Sequence, residues 1–167
     1  VPYAPGGSAD TLGRFAAQVL TEALGQQFVA DNKPGAGGLV GSEIVAKSAP
    51  DGYTLVVSGV ASHVVAPALN ASNLSFDPMK DFTHIALLGG PPDVLVVHTG
   101  IAAKTLTDFV ALAQSTSGGL TYGTPGIGTH GHLVAEMLQL RAGFKMTSVP
   151  YRGASQAVAD LIGHQLP

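Results

Sequence analysis

Cysteine is absent from the 167 residues. With no thiol there is no disulfide, no thiolate chemistry and no cysteine-ligated zinc, and the redox compartment stays open because a cysteine-free chain suits either one. Charge is scarce: Asp, Glu, Lys and Arg make up 11% of the sequence, against about 25% in an average protein. The eight Lys and Arg stand singly and the formal charge is −3. Such a chain has no basic stripe to release phosphate counterions, which argues against nucleic acid, and no polybasic patch for an anionic membrane. No window approaches 18 uninterrupted apolar residues and no charged stretch precedes an apolar one, so neither a spanning helix nor a signal peptide is legible in a chain that opens on Val1.

What is abundant is apolar side chains, 46% by count, together with 22 glycines and 11 prolines, about a fifth of the residues. No repeat period or low-complexity tract accompanies them, which excludes collagen and disorder and puts the excess into turns. A chain of this length forms one domain or two small lobes and can bury roughly 68–70% of its unfolded surface.

Leu12, Phe15, Ala16, Val19, Leu20, Ala23 and Leu24 recur at i, i+3, i+4, i+7 and i+8, which predicts a helix over 9–24 with Ser8 as N-cap and Gly25 as its stop. Strands are expected at 27–31, 53–58, 82–88 and 94–97, and helices at 39–47 and 61–69. The Gly89-Gly90-Pro91-Pro92 run reads as a crossover or hinge. Beyond it the pattern restarts with a helix over 106–114 begun by Thr105 and Asp108 as a near capping box, a strand at 120–123, a helix over 129–141, a strand at 146–149 and a helix over 153–162. Strands alternating with helices mean an α/β fold with mainly parallel sheet. Val1-Pro2-Tyr3 reads as the tail of a strand and His164-Gln165-Leu166 as the head of another, so a fragment is expected.

Two loops carry candidate chemistry. In Tyr3-Ala4-Pro5-Gly6-Gly7-Ser8-Ala9-Asp10 and in Tyr122-Gly123-Thr124-Pro125-Gly126-Ile127-Gly128-Thr129-His130 a strand exits through glycines into a helix N-terminus. Unpaired first-turn N–H groups and about half a positive charge favour an anion there, although a tight strand-to-helix turn uses glycine as well. Neither loop contains Lys or Arg. A carboxylate would therefore be held by backbone N–H, by the Ser8, Thr124 and Thr129 hydroxyls and by water, not by a guanidinium fork. Ser58, at a strand end, is placed either to touch a ligand or as a plain turn serine.

Gly126-Ile127-Gly128-Thr129-His130-Gly131 also fits the dinucleotide pattern, but Val149-Pro150-Tyr151-Arg152 stands where an acid should meet the ribose. A nucleotide-dependent α/β enzyme is kept as the alternative. His130 and His132 are alternate residues at a helix start that do not face each other, with no carboxylate cluster, so no metal site is expected. His132 reads as a local cap or packing partner, and no nucleophile elbow is present.

The segments 2–10, Asn32-Lys33-Pro34-Gly35-Ala36-Gly37-Gly38, Ala49-Pro50-Asp51-Gly52-Tyr53-Thr54-Leu55, Tyr122-Gly123 through Gly128-Thr129 with His132-Leu133, and Val149-Pro150-Tyr151-Arg152-Gly153 together resemble the substrate-binding proteins of tripartite tricarboxylate transporters, the Bug or TctC family. They stand in the family's order and span nearly the whole chain. The resemblance implies a non-enzymatic periplasmic solute-binding protein of two α/β lobes, type II-like, that closes on a small carboxylate and delivers it to a membrane permease. No cofactor is implied, and a monomer is expected.

On this resemblance residues 1–98 form part of a first lobe and 99–167 an incomplete second one, with a hinge near 89–100. First-lobe contacts would fall on Tyr3, Gly6, Gly7, Ser8, Ser58 and Ala61, and second-lobe contacts on Thr124, Gly128, Thr129 and Gly153. Pro125, Ile127 and Val60 depart from the family's usual residues and bear on which ligand is bound. The lack of basic residues in both loops leans toward small mono- or dicarboxylates.

Overall fold

The computed structural model describes residues 1–70, 74–90 and 92–167; Pro91, in the expected hinge, lies outside the described residues. The first helix, α1, runs over Ser8–Leu24 and ends at Gly25 in the left-handed region (φ 66°), whose N–H closes on the Thr21 carbonyl. Its start corrects the expectation for Ser8: the N-cap is Gly7, in extended backbone, and Ser8 is the first helical residue with an exposed side chain. No side chain caps its first turn; the buried carboxylate of Asp10 instead bonds backward, out of the helix, accepting from the Gly6 N–H at 2.9 Å. Gly13 sets how close α1 lies to the chain before it, since a Cβ there would stand 2.7 Å from Val1 Cγ2 and 3.2 Å from Val57 Cγ2.

A 3₁₀ turn at Ala36–Gly38 leads into α2, Leu39–Ala46. The expected helix over 61–69 forms in two pieces, a π-helical turn at Ala61–Val65 followed by α3 at Ala66–Asn70. Then come α4 (Leu106–Ser115), β1 (Leu120–Thr124), α5 (His130–Ala142), β2 (Met146–Pro150) and α6 (Ala154–Ile162). The Thr105/Asp108 capping box forms as expected, the Thr105 hydroxyl accepting from Asp108 N and the Asp108 carboxylate from Thr105 N.

β1 and β2 pair in parallel, Leu120 opposite Met146 and Thr124 opposite Pro150, with α5 as the crossover. Behind them Phe109, Ala113 and Phe144 are buried together, the two rings edge to face at 6.1 Å, with Leu120, Leu138 and Met146 packed on them. Leu166 is buried beside Gly123 of β1, and residues 164–166 are turn and coil, not the head of a strand.

The expected strands at 27–31, 53–58, 82–88 and 94–97 form no ladder among the described residues. β-branched and apolar side chains select a half-buried surface but not a partner, and a ladder needs a second chain segment about 4.8 Å away. Ile85, Leu87 and Val94 are 76%, 93% and 78% exposed. Only at the start does pairing begin: the Val1 ammonium donates to the Asp31 carbonyl and Lys33 N–H to the Val1 carbonyl. It stops at Tyr3, whose carbonyl accepts from the Asn32 side-chain amide at 2.9 Å and not from a backbone N–H.

Candidate functional site

The two glycine loops are built differently. The first hangs on Asp10. Its carboxylate accepts from Gly6 N–H (2.9 Å), Arg14 Nε (3.0 Å) and Asn32 Nδ2 (2.9 Å), and Asn32 Nδ2 also donates to the Tyr3 carbonyl at 2.9 Å. These bonds, the Arg14 guanidinium foremost, hold the Asp10 carboxyl down at about 2. The loop's outer edge rests on the start of α6: Ala4 N–H donates to the Arg152 carbonyl (3.2 Å) and Ser155 Oγ to the Pro5 carbonyl (2.9 Å). A Cβ on Gly153 would lie 2.9 Å from Ala4 Cβ, and one on Gly6 3.4 Å from Ser155 Cβ. The N-termini of α1 and α6 thus adjoin, with the Cβ position of Gly7 4.0 Å from Ala154 N.

The second loop is tied to itself. Thr124 and Thr129 are buried, their hydroxyls 3.2 Å apart, and Thr129 Oγ1 donates to the Gly126 carbonyl at 2.6 Å. The hydroxyls are therefore spent on the turn's shape. The donors this loop offers are the first N–H groups of α5, whose earliest intrahelical bond is Leu133 N to the Thr129 carbonyl. His132 acts as the local cap expected of it: its Nδ1 accepts from Gly128 N–H at 3.3 Å, and its ring stacks on Tyr122. The Tyr122 hydroxyl donates to Glu136 at 2.8 Å, and burial, with that bond adding to it, pushes the phenol up to about 12.

Between the loops lies the segment 35–38. Tyr3, half-buried, donates its hydroxyl to the Gly37 carbonyl at 3.0 Å, and burial raises its phenol. A Cβ on Gly37 would stand 2.9 Å from the Ile127 carbonyl and 3.4 Å from Ala61 Cβ, while one on Gly128 would stand 3.0 Å from Val65 Cγ1 and 3.9 Å from Ala61 Cα. Ten residues were expected at the site. Tyr3, Ala61, Thr124, Gly128 and Thr129 gather around this junction, and Gly6, Gly7 and Gly153 gather at the α1/α6 contact. Ser8 and Ser58 are exposed and make no side-chain hydrogen bond among the described residues. Asp10, Asn32 and Gly37 were missed. Asp10 sits in the first turn of a predicted helix, a position that signals an N-terminal carboxylate; what it would bond was not legible.

Two open cavities, of about 500 Å³ against Pro67 and Phe76 and about 280 Å³ against Val97 and Phe109, include none of the expected residues. Among the described residues no group of three metal-ligating side chains occurs, and no helix is long and apolar enough to cross a membrane.

This fold, with glycine loops at helix N-termini in an α/β frame, matches over 99% of the chain that of solved periplasmic binding proteins. The family described as "Tripartite tricarboxylate transporter family receptor", TctC, matches residues 12–166, and the chain belongs to that family, one of receptors and not of enzymes. It is 34% identical to the protein BugT of Bordetella pertussis over 163 residues, 98% of this chain and 50% of that one. Among solved structures it is similar to MatC from Rhodopseudomonas palustris with bound malate (34% identity, TM-score 0.88, 99% of this chain and 56% of that one). It is also similar to a second R. palustris protein, solved with adipate (30%, 0.86, 99% and 55%), and to the periplasmic binding protein BugD (29%, 0.79, 99% and 55%). The chain spans about half the length of the curated relatives it matches.

Proposed function

We propose that this chain is the ligand-binding part of a periplasmic receptor that captures a small mono- or dicarboxylate between lobes 1–98 and 99–167 and presents it, as a monomer, to a membrane permease. Carboxylate oxygens would sit at the N-termini of α1 and α5, with Tyr3, Gly6, Gly7, Ser8, Ser58 and Ala61 on one side and Gly128 and Gly153 on the other, Thr124 and Thr129 bracing the second loop through hydroxyls already bonded within it. The observation that carries this reading is the junction itself, where the glycine loop before α5 faces the Tyr3–Gly37 pair with no lysine or arginine in either loop. Similarity to proteins solved with malate and adipate supports the ligand class.

The dinucleotide alternative loses ground on two counts. The chain belongs to a receptor family, and Gly126 packs on Gly37 where a pyrophosphate would need open backbone. Thermal melting with malate, adipate and NAD separates the two. A ligand at about 100 times its Kd adds roughly 2.7 kcal/mol of apparent stability. The dicarboxylates are expected to raise Tm and NAD to leave it unchanged, and a shift with NAD alone overturns the proposal.

A further inference from the structure

The Pro34–Gly38 stretch has no assigned part in ligand binding, yet beside the hydrogen-bonded contact of residues 4–5 with 152–155 it is a second place where the two halves of the chain meet, here with no hydrogen bond between Gly37 and Ile127. Gly35, Ala36, Gly37 and Gly38 all have positive φ, at 148°, 47°, 64° and 97°. For Ala36 this is a conformation L-residues avoid. The turn is held rather than loose: Tyr3 donates to the Gly37 carbonyl, Gly38 N–H donates to the Gly35 carbonyl at 2.9 Å, and a Cβ on Gly38 would lie 2.9 Å from the Tyr3 hydroxyl oxygen. Its outward side is bare backbone. The Cβ position of Gly37 falls 2.9 Å from the Ile127 carbonyl, and that of Gly126, from the facing side, falls 3.4 Å from Gly37 Cα. Backbone meets backbone here, and a contact closer than about 3 Å between a methyl carbon and a carbonyl oxygen cannot be relieved by a rotamer change.

We infer that the 35–38 turn is the closure stop of the cleft: a preformed, side-chain-free ledge on which loop 126–128 seats, so that the depth of closure over the ligand is set by the Gly37–Ile127 contact. The inference rests on the proposed ligand site lying beside this junction. A ledge of this kind lets α5 carry its free N–H groups to one fixed distance from the first half, which is what a receptor needs to convert occupancy into a single shape. The glycine is then a positioning residue and need not touch the ligand.

The test uses the absence of cysteine. Dyes on Gln26→Cys and Lys145→Cys, exposed positions one in each half, report the distance between halves by single-molecule energy transfer, in the protein extended to the length of its relatives. Gly37→Asn keeps a residue that tolerates left-handed φ but adds the Cβ. Gly52→Asn, at φ 82° with no atom within 4 Å of its Cβ position, controls for backbone strain. Gly37→Asn is expected to lose the malate- or adipate-induced short-distance population and to weaken both ligands tenfold or more with the helical circular dichroism intact, and Gly52→Asn to change neither. Gly37→Ala, which adds the Cβ alone at the same 2.9 Å from the Ile127 carbonyl, makes the same test if Gly37→Asn fails to fold. Parent-like closure and affinity in the folded Gly37 variant overturn the closure stop and leave the binding reading standing. A parent that ignores both dicarboxylates, while Gly37→Asn still depletes the short-distance population, overturns the binding reading and supports the stop.

Discussion

Asp10 is the residue on which the first loop depends most. A buried carboxylate is tolerated only when its oxygens are bonded, and this one has three donors from three places in the chain. Its carboxyl is held at about 2, below the ordinary 3.8. A group whose pKa is lowered by folding contributes stability that is present above the unfolded value and is lost as pH falls through the folded one. Denaturant unfolding between pH 5 and 2 is therefore expected to show a loss of stability below about pH 4 in the parent, which Asp10→Asn flattens. At neutral pH that variant costs about 1–3 kcal/mol, because an amide turns a donor toward groups that need an acceptor. An equally steep acid limb in the variant would count against the assignment. Gly7 is less demanding than its place in the motif suggests. Its φ of −85° suits any residue, and a Cβ there meets nothing nearer than 3.9 Å, so Gly7→Ala is expected to fold and any effect to fall on ligand affinity.

Among the elements, α4 is one whose start was legible, since the capping box is a local device: both bonds join residues three apart. Thr105→Ala removes one of them, and the expected cost is about 1 kcal/mol in urea unfolding, with Thr105→Ser restoring most of it. The π-helical turn at Ala61–Val65 was not legible. It places Ala61, 3% exposed, and Val65 against the Gly37 and Gly128 backbones, and packing between distant segments decides that geometry. The strand expectations divide the same way. β1 and β2 form because α5 returns the chain alongside, whereas 53–58 and 82–88 have the composition of strands with no partner among the described residues.

Across the molecule, apolar surface is the dominant feature. Tyr53, Val29, Ile85, Leu87 and Val94 are each 76% exposed or more, and Phe15 and Val19 on α1, expected in a buried stripe, are 65% and 46% exposed. Large apolar side chains left in water in such number favour association. Residues 1–167 expressed alone are expected to self-associate and to enhance the fluorescence of an apolar dye, and sedimentation as a monodisperse monomer without dye enhancement would contradict this.

Composition and local pattern determined the class of fold, the order of the helices, the αL stop of α1 and the capping box of α4, because each depends on residues within one or two turns of each other. The two glycine loops were legible for the same reason, as was the wording shared with the TctC family. Tertiary structure alone decided that Gly7 and not Ser8 caps α1, that the buried threonine hydroxyls brace a turn, and that Asp10 joins residues 6, 14 and 32. It also decided that Gly37 meets Ile127 across 90 residues of sequence. Backbone approaches and buried polar bonds between distant segments leave no periodic trace, since what selects them is the space another segment occupies.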